Sequence, residues 1–66
     1  MNLMREITRE CDQRTKTIKQ MTQNGQRLST QDKKSARTLI GNAIKWDCDR
    51  AAFALSLALD ENMAVV

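Results

Sequence analysis

The sequence predicts an all-α protein, an antiparallel helical hairpin whose copies pair into a helical bundle. Three observations point there. Proline is absent, glycine occurs twice and aromatics are 3% of the 66 residues, a composition that disfavours sandwiches and barrels and suits long helices. Between Met4 and Met21 the seam residues recur at alternating spacings of three and four, the spacing of a helix packing along one edge. From Ser29 to about Asp60 the apolar residues spread over an arc too wide for a single neighbouring helix.

The first helix is expected over about 2–23. Met4, Ile7, Cys11, Arg14, Ile18 and Met21 form its seam, broken only by Arg14. Asn24 and Gly25 follow, and glycine supplies the left-handed conformation that commonly ends a helix. The turn is expected over 24–29. Ser29-Thr30-Gln31-Asp32 then reads as a helix start, because a hydroxyl can accept from the free amides while Asp32 favours the positive end of the dipole. A connection this short makes antiparallel neighbours.

The second helix is expected over about 30–60 with a tail over 61–66, so that residues 1–66 form a single hairpin domain. Continuity through Gly41 is favoured because the stripes keep phase across it: Leu39, Trp46 and Phe53 stand seven residues apart, and Ile40, Ile44, Ala51 and Leu55 hold the other side. A break at Gly41-Asn42 is the alternative. At 1.5 Å per residue the helices span roughly 33 Å and roughly 45 Å, leaving about two turns, 52–60, beyond the reach of the first helix. Phe53, Leu55, Leu57 and Leu59 crowd that overhang. Burying such side chains is worth about 1.5 to 3 kcal/mol each, so a partner is expected there. Leu39, Trp46, Phe53, Leu55 and Leu57 are the expected interface residues. A chain of 66 residues is also too small to be comfortably stable alone, which makes self-association the natural remedy.

Chemistry has little to work with. Histidine and tyrosine are absent, no glycine-rich phosphate loop or paired Cys-x-x-Cys occurs, and Asp47 and Asp49 diverge on a helix. No enzyme, cofactor or metal site is expected. Cys11 and Cys48 would lie at different levels of a hairpin, so they are read as free thiols in a reducing compartment. The longest apolar run, 51–59, contains Ser56 and is about half the length that spans a bilayer. A soluble, cytoplasmic protein is expected, without membrane contact.

Arg14, Asp47 and Arg50 interrupt the apolar surfaces. Asp47 and Arg50 stand three apart on one helix, and the three residues are expected to form a polar layer that fixes register. The formal charge of +3 and pI of about 9.2 are mildly basic. Lys16, Lys19, Arg27, Lys33, Lys34 and Arg37 fall toward the loop end of a hairpin, away from Asp60 and Glu61, and are candidate phosphate contacts. No aromatic interleaves with them, and no helix-turn-helix turn accompanies them.

In format, the seam Met4-Ile7-Cys11-Ile18-Met21, the turn Asn24-Gly25 and the stripe Leu39-Trp46-Phe53 resemble the small helical-hairpin accessory and regulatory proteins of phages and plasmids, with a Rop-like architecture. The resemblance implies a dimeric hairpin and carries no functional residue with it. The expected function is regulation by binding: a homo-oligomer that engages a host or partner protein. The alternatives are a nucleic-acid-binding dimer, for RNA or DNA, that uses the basic loop end, and a structural assembly component.

Overall fold

The computed structural model describes residues 2–65 and forms three helices with no strand among them: α1 (Leu3–Gln23), α2 (Thr30–Lys45) and α3 (Asp49–Met63). They run up, down and up in a body of 39 × 17 × 17 Å, with α3 packed against both α1 and α2. The all-α class stands. The two-helix hairpin is replaced by a three-helix bundle.

Capping explains both ends of α1. The Asn2 side chain accepts from the Arg5 amide at 3.4 Å, and at the other end Gly25 adopts φ +72°. There the Gln26 amide donates to the Met21 carbonyl (2.8 Å) and the Gly25 amide to that of Thr22 (3.0 Å), the paired bonds of a Schellman stop. Ser29 Oγ then accepts from the Asp32 amide at 3.1 Å and opens α2.

The expected helix over 30–60 is corrected here. It passes through Gly41 without a break, then stops at Lys45 and restarts at Asp49. The stop is a second Schellman motif: the Cys48 amide donates to the Ala43 carbonyl (2.7 Å) and the Asp47 amide to that of Ile44 (3.1 Å). Asp47 holds the left-handed position at φ 60°. Short polar side chains such as aspartate tolerate that conformation better than most. The motif is completed by the burial of its flanking residues, Ala43 and Cys48.

Reversal at 46–48 folds the expected overhang back along α1. Ala51, Ala52, Leu55, Ala58 and Leu59 turn inward to meet Ile7, Cys11 and Ile18 of α1 and Ala36 and Ala43 of α2. Many of these are alanines, which let helix backbones approach closely. On α1 the buried positions are Ile7, Cys11, Thr15 and Ile18, so Thr15 takes the inward place expected of Arg14. Its hydroxyl is satisfied by the Cys11 carbonyl at 2.7 Å. Met4 stays exposed and Met21 packs at the core's edge.

The expected tail over 61–66 is corrected too, because α3 continues to Met63 and Asn62 is fully buried. Asn62 Oδ1 accepts from the Leu28 amide at 2.9 Å, while Nδ2 donates to the Gln26 carbonyl at 2.9 Å and to Thr22 Oγ1 at 3.0 Å. One amide side chain therefore ties the last turn of α3 to the connection between α1 and α2.

Candidate protein interface

α3 buries one face and turns the opposite one to solvent. With Leu55 at the centre of the buried side, a rotation of 100° per residue places Phe53 and Leu57 nearly opposite it, one turn apart. Phe53 is 65% exposed and Leu57 46%. Ile44, on the last turn of α2, is 56% exposed and shares a groove with Phe53, and Trp46 caps the same helix at 43%. Between α2 and α3 runs a groove of about 370 Å³ lined by Ile40, Ile44, Ala52, Phe53, Ser56 and Asp49. Its floor is small because Ala52 and Ser56 are small. Phe53 stands on its rim.

Among the expected interface residues, the structure brings Phe53 and Leu57 to the surface of α3 and Trp46 to the neighbouring turn. Leu39 and Leu55 belong elsewhere. Leu55 is fully buried in the core, and Leu39 packs at its edge on the side facing α1. The cause is the change of phase at Asp47: in an unbroken helix Leu39, Trp46 and Phe53 share a stripe, whereas the reversal rotates α3 independently of α2. Ile40, Ile44 and Ala52 are the groove residues that the expected set lacks. Ile40 and Ile44 stand four apart on α2, and in the sequence they belong to the stripe opposite that of Leu39, Trp46 and Phe53.

The expected polar layer does not assemble. Arg14 is half-buried and its Nη1 donates to Ser35 Oγ at 3.4 Å, between α1 and α2. Asp47 and Arg50 are exposed and line a different recess, between α1 and α3, with Thr8, Asp12 and Cys48. Asp47 serves as the left-handed residue of the turn. Among the described residues, every buried side-chain nitrogen and oxygen has a hydrogen-bond partner, and no group of three or more Cys, Asp or Glu is placed to hold a metal ion.

The candidate phosphate contacts remain at the loop half of the bundle. Lys16, Lys19, Arg27, Lys34 and Arg37 are exposed, and Lys33 is half-buried. Asp60 and Glu61, however, are not remote from them. The third helix carries both to that same end, where Asn62 bonds the connection that contains Arg27. Acidic side chains therefore interrupt the basic surface.

Both cysteines are free and buried. Cys48 Sγ accepts from Thr8 Oγ1 at 3.5 Å and lies 3.6 Å from the Met4 carbonyl. Burial pushes the Cys11 thiol pKa up, with smaller contributions in the same direction from Asp12, Cys48 and Glu10. A thiol held protonated in this way is a poor nucleophile and acts as a small core residue. Among the described residues, no helix is long and apolar enough to cross a membrane. No protein-family model, curated protein or solved structure matches this chain.

Proposed function

We propose that the protein is a non-enzymatic helical docking module that works by burying the outer face of α3 and the adjoining groove against another protein surface. One observation carries the reading. Phe53, Leu57 and Ile44 are each about half exposed or more, with Phe53 and Leu57 one turn apart on α3 and Phe53 sharing a groove with Ile44, although a small bundle gains by hiding such groups. An exposed aromatic beside a groove with a small-residue floor is the arrangement of an interface anchor. Binding to nucleic acid is the weaker alternative, because Asp60 and Glu61 share the end that carries the bases and repel phosphate.

Site-specific photo-crosslinking tests the reading. A photoreactive residue at Leu57 is expected to give protein adducts that survive nuclease treatment and vanish in a Phe53→Glu background. The same residue at Lys34, on the exposed surface of α2, is expected to give few. Equal yields at the two positions would overturn it.

A further inference from the structure

We infer that the outer face of α2 binds the phosphate backbone of duplex DNA across one major groove. This is a different surface from the one that docks protein, and its chemistry is polar. Lys34, Thr38, Gly41 and Lys45 follow one another at spacings of four, three and four, and 100° per residue places that line opposite the fully buried Ala36 and Ala43. All four are exposed, as are Arg37 on the α3 flank of the line and Asn42 on its α1 flank. No carboxylate occurs from Lys33 to Trp46. The end where Asp60 and Glu61 stand is only the beginning of this face, which runs from Lys34 away from them toward the turn at 46–48.

Lysine, arginine, threonine and asparagine are among the side chains that contact phosphate oxygens, and the crest holds no large apolar group to enter a lipid layer or to form the dry centre of a protein interface. Toward α1 the face opens into a recess of about 370 Å³, where Arg14 adds a cation beside Lys34, Thr38 and Asn42. Glu10, on the same wall, stands one turn before Arg14 and offsets part of that charge. Gly41 is the second observation. A Cβ at that position would meet nothing within 4 Å, so packing inside the chain does not require glycine, which lowers helix stability relative to alanine. A bare backbone in the middle of an exposed crest permits close approach from outside. Eleven residues separate Lys34 from Lys45, a rise of about 16 Å, enough to reach the phosphates on both sides of a major groove about 12 Å wide. Thr38 and Gly41 keep the crest low between them. Duplex RNA, whose major groove is deep and narrow, does not admit the helix in this way.

Fluorescence anisotropy of a labelled DNA duplex of about 20 base pairs, titrated with the full chain between about 50 and 200 mM salt, tests the face. Binding is expected to fall with salt at a logarithmic slope of about −3, as three to four phosphate contacts require. Lys34→Glu and Lys45→Glu are each expected to weaken it at least about tenfold and to flatten the slope by about 1 or more. Arg9→Glu makes the same change of charge on the exposed outer face of α1 and is expected to weaken binding no more than about twofold. Gly41→Leu is expected to weaken binding by about tenfold while its thermal midpoint rises, since leucine is the better helix former; a loss of fold would lower both. No binding by the wild type at the lowest salt, unchanged binding by Gly41→Leu, or equal losses in Arg9→Glu and Lys45→Glu would overturn the inference. So would equal affinity for duplex RNA of the same sequence, or co-sedimentation with phosphatidylserine vesicles as strong as the binding to DNA. None of these results touches the docking reading, which the crosslinking at Leu57 decides on another face.

Discussion

Asn62 meets three groups on the connection between α1 and α2 or next to it, and its side chain is fully enclosed. Truncation to alanine strips the Leu28 amide and the Gln26 carbonyl of their partner, and a buried donor or acceptor left unmet costs about 1 to 3 kcal/mol. Asn62→Ala is therefore expected to lower unfolding free energy by about 2 to 3 kcal/mol in urea titration, with hydrogen exchange at the Leu28 amide accelerating first. Cys11 makes a second prediction at this scale. Burial raises its pKa in the folded chain above the ordinary value of 9.0, so the thiol's contribution to stability is fully present below that ordinary value. As pH rises past it, the unfolded chain loses the proton while the folded one keeps it. Stability then falls until the folded pKa is passed. Stability measured from pH 8 upward is expected to decline more steeply in the wild type than in Cys11→Ala.

The helix ends decide the fold. Gly25 and Asp47 occupy the same position in two successive Schellman stops, with φ of +72° and 60°. Only glycine adopts that conformation freely. Asp47→Gly is expected to raise stability by up to about 1 kcal/mol, seen as a higher thermal midpoint, whereas Gly25→Ala is expected to lower it by about 1 kcal/mol. The asymmetry also explains what the sequence could announce. Asn24-Gly25 is a recognisable stop, and the end of α1 and the start of α2 were legible because glycine and Ser29 mark them. Trp46-Asp47 carries no such mark. Neither glycine nor proline stands there, and the stripes of 30–60 keep phase through the break, so periodicity favours continuity where long-range packing favours reversal.

For the molecule as a whole, that one unmarked reversal turned the arithmetic of burial. The apolar residues of 30–60 were expected to need a second neighbour besides the first helix, and α3 meets part of that need internally by packing on both α1 and α2. Leu55 went to the core and Phe53 stayed outside, a division that no count of apolar residues contains, because it depends on the rotation of α3 after the turn. The contrast can be measured on dilute protein. Leu55→Ala is expected to cost about 2 to 5 kcal/mol of unfolding free energy as a cavity forms, and Phe53→Ala less than about 1 kcal/mol, since its ring is largely in water already.

The tie made by Asn62 also orders events in time. Thr22 and Asn62 are forty residues apart, so the stop that ends α1 and the amide that enters α2 acquire their side-chain partner only once α3 has been synthesised. Until α3 arrives, the Leu28 amide and the Gln26 carbonyl are without the side-chain partner that Asn62 supplies. The bonds of Asn62 therefore wait on α3, and making them closes a loop of forty residues, an entropic cost that winding any one helix does not carry.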